Sequence, residues 1–479
     1  MRRRTRGPWS SESVLYNGFF LIPGPRSGYF LRTMTTSAST ARASRRERWA
    51  WYMYDFGNSA YAAVVLLAVY SAYFKQSVVG GAVGSWYWGL ALGIAMIVVA
   101  LTSPFLGTIA DVTRSKKKFL LIYTSLSCLF TAALYFVTSG RIVLGMILFI
   151  LAEIGYRSAQ VFYNALLPEI ASPDEIGRVS GKGWAIGSAG GIVCLLIVLV
   201  LMQLFPGATM TRLSFPLTAV FFAAAAAPIF LVVRRHAGTA KLPEGETYLT
   251  YPIRRLGRTI RQVRSFKDFG KFLLAFLIYN DAIISIMNFA AILGGVLFGL
   301  EQIGLILFMI IVQAASIPGA YVMGRLVDRA SAKRAILMSL VLLFATVIVL
   351  FFTHSTIVFF ILGAVAGFAL TGMQSASRSF VSMLSPAKQT AEFYGLFAVT
   401  GRTSSFIGPW LFGWIAAKAT VWIQNSGQPL VAAEQMAHRY ALFVPIGFLL
   451  LGGLLLLWVN EKRGRATALS MNGQADSTG

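Results

Sequence analysis

The sequence contains little charge for its length. Asp, Glu, Lys and Arg make up 13% of its 479 residues, whereas 56% of the residues are hydrophobic. A soluble protein carries about 25% charged residues. This deficit argues against a soluble enzyme or nucleic-acid-binding protein and indicates a polytopic membrane protein.

Histidine and cysteine are also scarce. The three histidines, His236, His354 and His438, lie apart from any cysteine or carboxylate cluster. The two cysteines, Cys128 and Cys194, both fall inside apolar runs. Zinc sites, Ser-His-Asp hydrolysis and a disulfide framework therefore lack the residues they require, and we expect neither a cofactor nor a metal.

Twelve apolar stretches are long enough to cross a bilayer, which needs about 20 residues of helix. Clusters of Trp and Tyr at several of their ends fit the interfacial belts of membrane proteins. The predicted spans are 49–74, 86–106, 119–138, 142–167, 180–204, 215–233, 272–298, 303–323, 335–353, 357–382, 393–417 and 440–459.

The distribution of Lys and Arg predicts the topology. The net charge of +24 would suggest nucleic acid in a soluble chain, but here the cations lie between apolar runs. When the loops are assigned alternately to two sides, five cations fall on one side and nearly all the others on the side of the N-terminus. The positive-inside rule then places both termini in the cytoplasm, and we expect the inner membrane of a bacterium.

A short motif occurs twice and divides the chain into halves. It reads Gly-x-x-x-Asp before a basic cluster, once as Gly107 to Asp111 and again, 217 positions later, as Gly324 to Asp328 followed by Arg329. The duplication predicts an all-α membrane protein of twelve transmembrane helices in two pseudo-symmetric six-helix bundles. We expect both loops to meet a helix N-terminus of the opposite half and to gate the cytoplasmic side.

The predicted organisation has five parts. The basic linker carries ten Lys and Arg against three acidic residues, and part of it has helical apolar spacing, so we expect an amphipathic helix on the anionic inner leaflet and no nucleic acid. The N-terminal tail fits a transit peptide or translation from Met34, and we favour the second. The parts are a disordered tail 1–48, a bundle 49–233, the linker 234–271, a bundle 272–460 and a cytoplasmic tail 461–479.

Ionisable residues within the spans need an explanation, because each costs roughly 2.5 to 3.5 kcal/mol to insert. Five stand out: Asp55, Glu153, Arg157, Asp281 and Arg402. Glu153 and Asp281 fall near the middle of their spans, where secondary transporters bind substrate and coupling ion. These residues are our candidates for substrate binding or proton coupling.

Glu153 and Arg157 are spaced i, i+4 with the acid N-terminal, which favours an intrahelical ion pair. One interpretation is a self-neutralised pair that only makes the helix insertable. The other is a pair that opens during transport, so that Glu153 takes a proton while Arg157 holds an anionic group of the substrate. The sequence leaves both open.

Asp281 is the stronger candidate for proton coupling, because no cation lies near it in sequence and removal from water favours the neutral form of a carboxylate. Asn280 and Asn288 lie on the same span and could contact the substrate. The structural alternative is an ion pair between Asp281 and Arg157 or Arg402 of another span.

Other polar residues are weaker candidates. Asp55, Asn58 and Tyr61 share one region of the first span, where helix packing or gating is as good an explanation as substrate contact. Asn164 could line a polar cavity, as could Gln374 and its neighbour Arg378, or they could form interhelical hydrogen bonds. In the fifth span, glycines at positions 183, 187, 190 and 191 predict a face for close helix packing.

The two halves and the duplicated motif resemble the major facilitator superfamily. Further stretches resemble the branch containing the fungal vacuolar amino-acid effluxers of autophagy and their bacterial relatives, over about residues 49 to 461. The stretches are YDFGNSAYA (54–62), VFYNALLPEI (161–170), RVSGKGWAIGSAGG (178–191), YND (279–281), QSASRS (374–379) and EFYGLFAVTGRTSSFIGP (392–409).

The first motif departs from the superfamily pattern, with Val112 where Arg is usual and Arg114 where Gly is usual. The second keeps Arg329 but has Ser331 at the Gly position. Gating by Asp328 is therefore better supported than gating by Asp111. Glu153 and Arg157 have no counterpart that we can assign in the family.

We therefore expect a secondary transporter, not an enzyme, that moves a small solute by alternating access. Proton coupling and a monomeric state are expected, and the resemblance implies export, with amino acids as a candidate cargo. The alternatives are a drug or lipid exporter of the same fold, an intramembrane enzyme acting on lipid-linked substrates, and a receptor or scaffold that transports nothing.

Overall fold

The structure, a computed structural model, describes residues 44–476 except for a few gaps. It leaves out 82, 172–175, 234–246, 248–253, 255–256, 258–265, 387–389 and 404. The described residues form helices joined by short turns, and none of them is in a β-strand. The predicted tail and linker therefore lie mostly outside the described residues.

Span 1 begins at Arg45 because Ser44 caps the helix. The Ser44 hydroxyl accepts from the Glu47 amide at 3.2 Å, and the Glu47 carboxylate accepts from the Ser44 amide at 2.9 Å, which forms a capping box. The helix therefore starts inside the segment that we predicted as a tail. The carboxylate of Glu47 completes a cap that the sequence pattern Ser-x-x-Glu encodes.

The N-terminal half contains six spans. Span 1 runs from Arg45 to Val79 and changes twice from α-helix to the wider π-helix, at Ala62–Ala68 and Phe74–Val79. Spans 2 to 6 are Gly84–Val112, Lys116–Ala133, Ile142–Ala165, Ile176–Leu204 and Ala208–Val232.

The C-terminal half repeats this arrangement. Spans 7 to 10 are Lys267–Phe298, Gln302–Arg329, Ala332–Phe352 and Thr356–Leu384. Span 12 consists of Leu430–Ala441 and Phe443–Leu457, so it begins ten residues before the predicted start. A further helix, Glu461–Asp476, occupies most of the predicted tail.

Span 11 is broken into two helices. Span 11a is Thr390–Thr403 and span 11b is Ile407–Asn425, so the single predicted span 393–417 is wrong at its centre. Pro409 explains the position of the break, because proline is tolerated in the first turn of a helix and interrupts one elsewhere. Eleven helical stretches of the described chain are long and apolar enough to cross a membrane. The divided span 11 is the twelfth.

Within each half, corresponding spans pack against one another in the same way. Span 1 packs against spans 5 and 6 and span 3 against span 4, while span 7 packs against spans 11 and 12 and span 9 against span 10. Between the halves, span 2 contacts span 11 and span 5 contacts span 8. The two pseudo-symmetric bundles of six helices are confirmed. We call the end that carries turns 113–115 and 330–331 the basic side, and the end that carries turns 137–141 and 353–355 the far side.

The duplicated motif lies in helices rather than in loops. Gly107 and Asp111 belong to the last turns of span 2, and Gly324 and Asp328 to the last turns of span 8. Arg329 is the exposed last residue of that helix. The side chains of Asp111 and Asp328 lie outside the described residues, so their gating role stays a prediction.

The glycine face of span 5 allows a close approach to span 1, as predicted. A Cβ atom on Gly183 would lie 2.4 Å from the Trp51 ring, and one on Gly190 would lie 2.1 Å from the Phe56 carbonyl oxygen. Neither distance leaves room for a side chain. The two helices therefore depend on glycine at these positions.

We expect Gly190→Ala to destabilise the protein, because the added methyl group meets backbone that cannot turn away. Overpacking of this kind costs about 1 to 3 kcal/mol, which thermal unfolding of the purified protein would register as a lower Tm. Gly181→Ala is the matched control, since a Cβ atom at this position of the same helix meets nothing within 4 Å. Equal Tm values for the two variants would contradict the packing argument.

Candidate substrate and coupling site

A cavity of 170 Å³ lies between the two halves near the middle of the bundle. Spans 2 and 4 contribute to its wall from the N-terminal half, and spans 7, 10 and 11a contribute from the other. Three residues singled out from the sequence, Arg157, Asn280 and Gln374, meet here. The polar lining residues are Arg157, Gln160, Asn280, Gln374 and Ser405.

Glu153 holds Arg157 at the wall of this cavity. Its Oε1 accepts from Arg157 Nε at 2.7 Å, and its Oε2 accepts from the hydroxyl of Tyr61 at 3.0 Å. Glu153 is fully buried, whereas the Arg157 side chain is 21% exposed and lines the cavity. The predicted intrahelical pair is therefore present, and both carboxylate oxygens already have partners.

The aromatic ring of Tyr156 also contacts the guanidinium of Arg157. Arg157 Cζ lies 5.2 Å from the centre of the Tyr156 ring, a cation–π distance, and Tyr156 stacks on Tyr61 with ring centres 4.5 Å apart. Because Tyr61 also bonds Glu153, one connected group fixes the carboxylate and the guanidinium together. Tyr61 acts through Glu153 and does not line the cavity.

Asn280 and Asp281 bridge the break in span 11. Asn280 Nδ2 donates to the carbonyl oxygen of Gly401 in span 11a at 2.9 Å, and Asp281 Oδ2 accepts from the Gly408 amide in span 11b at 2.9 Å. Both ends of the break have backbone groups without an intrahelical partner. Asn280 therefore satisfies a carbonyl at the end of span 11a, and Asp281 satisfies an amide at the start of span 11b.

Asp281 is 2% exposed, and its Oδ1 has no hydrogen-bond partner. The alternative ion pair with Arg157 is not observed, because Arg157 pairs with Glu153. The side chain of Arg402 lies outside the described residues, so its predicted role stays a prediction. The sequence identified Asp281 as unusual, but the partner that it finds is the N-terminus of a helix and not a cation.

Gly408 is required for this contact. A Cβ atom on Gly408 would lie 2.1 Å from Ser285 Oγ and 3.0 Å from Asp281 Oδ1. Ser285 in turn donates to the Asp281 carbonyl at 2.8 Å. The first turn of span 11b therefore reaches Asp281 only because Gly408 has no side chain.

Two predicted site residues lie away from the cavity. Asn288 donates to the Ile284 carbonyl at 2.8 Å in its own helix, and its backbone oxygen accepts from Trp88 at 3.0 Å, nearer the far side. Asn164 is exposed at the basic-side end of span 4. Neither residue lines the cavity, because Asn288 bonds within its own helix and Asn164 is exposed at the end of span 4.

Asp55 takes part in a charged contact between the halves. It packs against Gly187 of span 5 and interacts electrostatically with Arg378 of span 10. Arg378 Cζ also lies 5.1 Å from the centre of the Trp184 ring. Asn58 is buried beside Asp55. This arrangement supports the helix-packing and gating interpretation of Asp55.

The sequence missed a polar cluster on the far side. Lys75 Nζ bonds Glu434 Oε2 at 2.7 Å, and Ser85 Oγ lies 2.6 Å from His438 Nε2. The spacing of Glu434 and His438, one helical turn apart, was the available signal, but the predicted start of span 12 left both in a loop. Gln302 adds a bond to the Ala68 carbonyl at 2.8 Å. The halves are therefore in contact on the far side.

Among the residues that the structure describes, no three His, Cys, Asp or Glu side chains lie close enough together to hold an ion.

The fold and the central polar cavity define an integral membrane protein of the major facilitator type, a class of secondary transporters. One solved structure of this fold is a bacterial homologue of the human lysosomal transporter Spinster in an inward-facing, unoccupied conformation. The similarity has a TM-score of 0.66 at 14% sequence identity and covers 88% of this chain and 97% of the other.

Within that class, the chain belongs to the family described as vacuole effluxer Atg22 like, whose profile matches residues 85–469. An uncharacterized MFS-type transporter, YxiO of Bacillus subtilis, is 28% identical over 76% of this chain and 86% of its own length. Autophagy-related protein 22-1 of Penicillium rubens is 26% identical over 62% of this chain and 52% of its own length. The relatives are transporters and not enzymes, which leaves the enzymatic alternative without support.

We expect Gly408→Ala to lower the Tm, because the methyl group displaces span 11b from Asp281 and Ser285. Adding Ser285→Ala should restore part of the loss, since it removes the oxygen that the methyl group meets at 2.1 Å but not the Asp281 carbonyl at 2.9 Å. Gly447→Ala in span 12 is the control, as a Cβ atom there meets nothing within 4 Å. A Tm of Gly408→Ala that matches this control would disprove the close contact.

Proposed function

We propose that the protein exports a small carboxylate-bearing solute, with amino acids as the cargo class, in exchange for protons. The observation that carries the cargo proposal is the guanidinium of Arg157, which Glu153 and Tyr156 hold at the wall of a central cavity. The family description, vacuole effluxer, supports the direction. Both termini are proposed to lie in the cytoplasm of a bacterium, with the transporter acting as a monomer in the inner membrane.

Arg157 is suited to an anionic group. A guanidinium presents several N–H donors in a planar fork that matches a carboxylate. The ion pair with Glu153 uses Nε and fixes the plane of the group. On the opposite wall, Phe276 and Phe397 stack with ring centres 4.1 Å apart and supply an apolar surface. The site therefore suits a small molecule with a carboxylate and an apolar body.

Asp281 is the proposed proton carrier. When ionised, it accepts from the Gly408 amide at the N-terminus of span 11b, where the helix dipole favours a negative charge. Its Oδ1, which has no other partner, is the oxygen that can take a proton. Protonation removes the charge that holds span 11b, so the proton and the position of this helix are linked.

The contacts between the halves support a mechanism of alternating access. The far side is held by the Lys75–Glu434 ion pair, and Asp55 with Arg378 joins the halves nearer the basic side. With the basic side in the cytoplasm, cargo would enter from inside the cell when the contacts on that side separate. The linker would lie on anionic lipid, and the ends of spans 2 and 8, with Asp111 and Asp328, would close the cytoplasmic side.

A thermal-shift comparison tests the cargo class. Neutral amino acids should raise the Tm of the purified full-length protein, by an amount equivalent to about 2.7 kcal/mol at a hundred times Kd. Their C-terminal amides, which lack the carboxylate, should not. Arg157→Lys should weaken the response because it replaces the fork with a single ammonium group.

The double variant Glu153→Gln/Arg157→Gln should lose the response entirely while avoiding an unpaired buried charge. Lys182→Gln is the control, because Lys182 is an exposed cation of span 5 away from the cavity. Equal responses to acids and amides would refute the carboxylate site. A response to hydrophobic cations alone would favour the drug-exporter alternative.

Transport in proteoliposomes tests the coupling. Asp281→Asn should abolish flux of a labelled amino acid driven by a pH gradient, because an amide cannot carry a proton. Exchange of labelled for unlabelled amino acid should continue, since the amide oxygen can still accept from Gly408. Glu301→Gln, an exposed carboxylate on the far side, should keep both activities. Driven flux that survives Asp281→Asn would assign coupling to another residue.

A further inference from the structure

A buried polar cluster on the far side joins the two halves, and the proposed cargo site does not use it. Lys75 and Ser85 come from the N-terminal half, and Glu434 and His438 from the C-terminal half; we call these four residues the far-side latch. The side chains of Lys75 and Glu434 are 5% and 13% exposed, and His438 is fully buried. We propose that the latch is a proton site that releases a proton when the far side closes and binds one when it opens.

The closed latch fixes a neutral imidazole. His438 Nδ1 lies 2.7 Å from the carbonyl oxygen of Glu434, and a carbonyl can only accept, so Nδ1 carries the hydrogen. Nε2 lies 2.6 Å from Ser85 Oγ and accepts from that hydroxyl, because a neutral ring has one hydrogen. Both ring nitrogens are therefore occupied, and a second proton on Nε2 would force the Ser85 hydroxyl to turn from donor to acceptor.

The charges around the ring also oppose a second proton. Lys75 acts electrostatically on His438, and its ammonium group neutralises Glu434. Arg439, the next residue, donates instead to the Thr353 carbonyl at 2.8 Å, and Lys418 of span 11b is exposed. The far half of span 7, residues 282–298, has no titratable side chain. In the closed state, Lys75 pairs with the negative charge of Glu434, so this carboxylate does not stabilise a protonated His438.

Opening the far side reverses this balance. Ser85 and Lys75 move away with the N-terminal half, while His438 and Glu434 remain together one helical turn apart. The freed Nε2 then meets water, and Glu434 has lost its cation. An acid one turn N-terminal to a cation is the favourable order on a helix, so a proton on His438 replaces Lys75 as the partner of Glu434.

The linkage has a definite sign and size. The open state binds one more proton than the closed state, so acid on the far side favours opening. If the exposed ring titrates near its ordinary value of about 6.5, the ratio of open to closed protein should rise roughly 30-fold from pH 8 to pH 5. This inference rests on alternating access and is independent of the cargo.

Spin-label distance measurements on the full-length protein in lipid nanodiscs test the latch. Cys128→Ser and Cys194→Ser remove the native thiols, and labels at Phe136→Cys and Phe352→Cys report the separation of the halves from exposed far-side positions. Including Asp281→Asn removes the proposed carrier, so any remaining response to pH has another origin. We expect the long-distance population to rise at pH 5, and Glu434→Gln to raise it already at pH 8.

Two histidine variants decide the assignment. His438→Gln cannot titrate and should reduce the response to pH to less than threefold, whereas His354→Gln, an exposed histidine on the same side, should keep it. A response that persists in His438→Gln, or a parent that does not respond, would overturn the proposal. A parent that responds only when Asp281 is intact would refute the latch and leave the proposed coupling by Asp281 standing.

Discussion

The interior of the membrane does not tolerate a bare charge, and this constraint determines how the two halves of the protein meet. Insertion of an ionised side chain costs several kcal/mol unless a partner is supplied. Glu153 finds Arg157 within its own helix, whereas Lys75 finds Glu434 across the halves. Asp281 relies on the amide of Gly408. The first contact lies within one helix, whereas the other two join separate helices and would break if those helices moved apart. The partners of the charges therefore distinguish a contact within one span from contacts that a change of conformation could break.

The charged residues at the cavity and on the far side have different kinds of partner. At the cavity, the ion pair with Glu153 fixes the Arg157 guanidinium, so little reorganisation would be needed if this group binds the proposed cargo. On the far side, the paired charges belong to opposite halves, and separating them requires new partners or water. A transporter needs both properties, because it must recognise its cargo in one conformation and leave that conformation afterwards.

The sequence predicted the features that arise from neighbouring residues or from repeats along the chain. Apolar length gave the spans and the duplicated motif gave the halves, while i, i+4 spacing gave the pair of Glu153 and Arg157. It did not predict the break in span 11, although residues 402–405 are polar and Pro409 follows them, because the apolar residues on either side suggested one continuous span. The bridge from Asn280 and Asp281 joins this break to residues more than 100 positions away, which no local pattern encodes. The pairing of Lys75 with Glu434 joins residues 359 positions apart, which no local pattern encodes. Asn164 and Asn288 do not line the cavity, because the direction of their polar side chains depends on packing that the sequence does not show.

The divided span 11 has a consequence for the order of events in a transport cycle. Span 11b is docked on span 2, where Cβ atoms on Gly89 and Gly413 would strike the backbones of Pro409 and Ser85 at 2.3 and 2.4 Å. Span 11a ends separately and carries Phe397 and Gly401 at the cavity. Because the backbone hydrogen bonds of the helix are interrupted between them, spans 11a and 11b can change their angle to each other. A divided span would therefore let the cavity and the far side of the bundle rearrange in separate steps of a transport cycle.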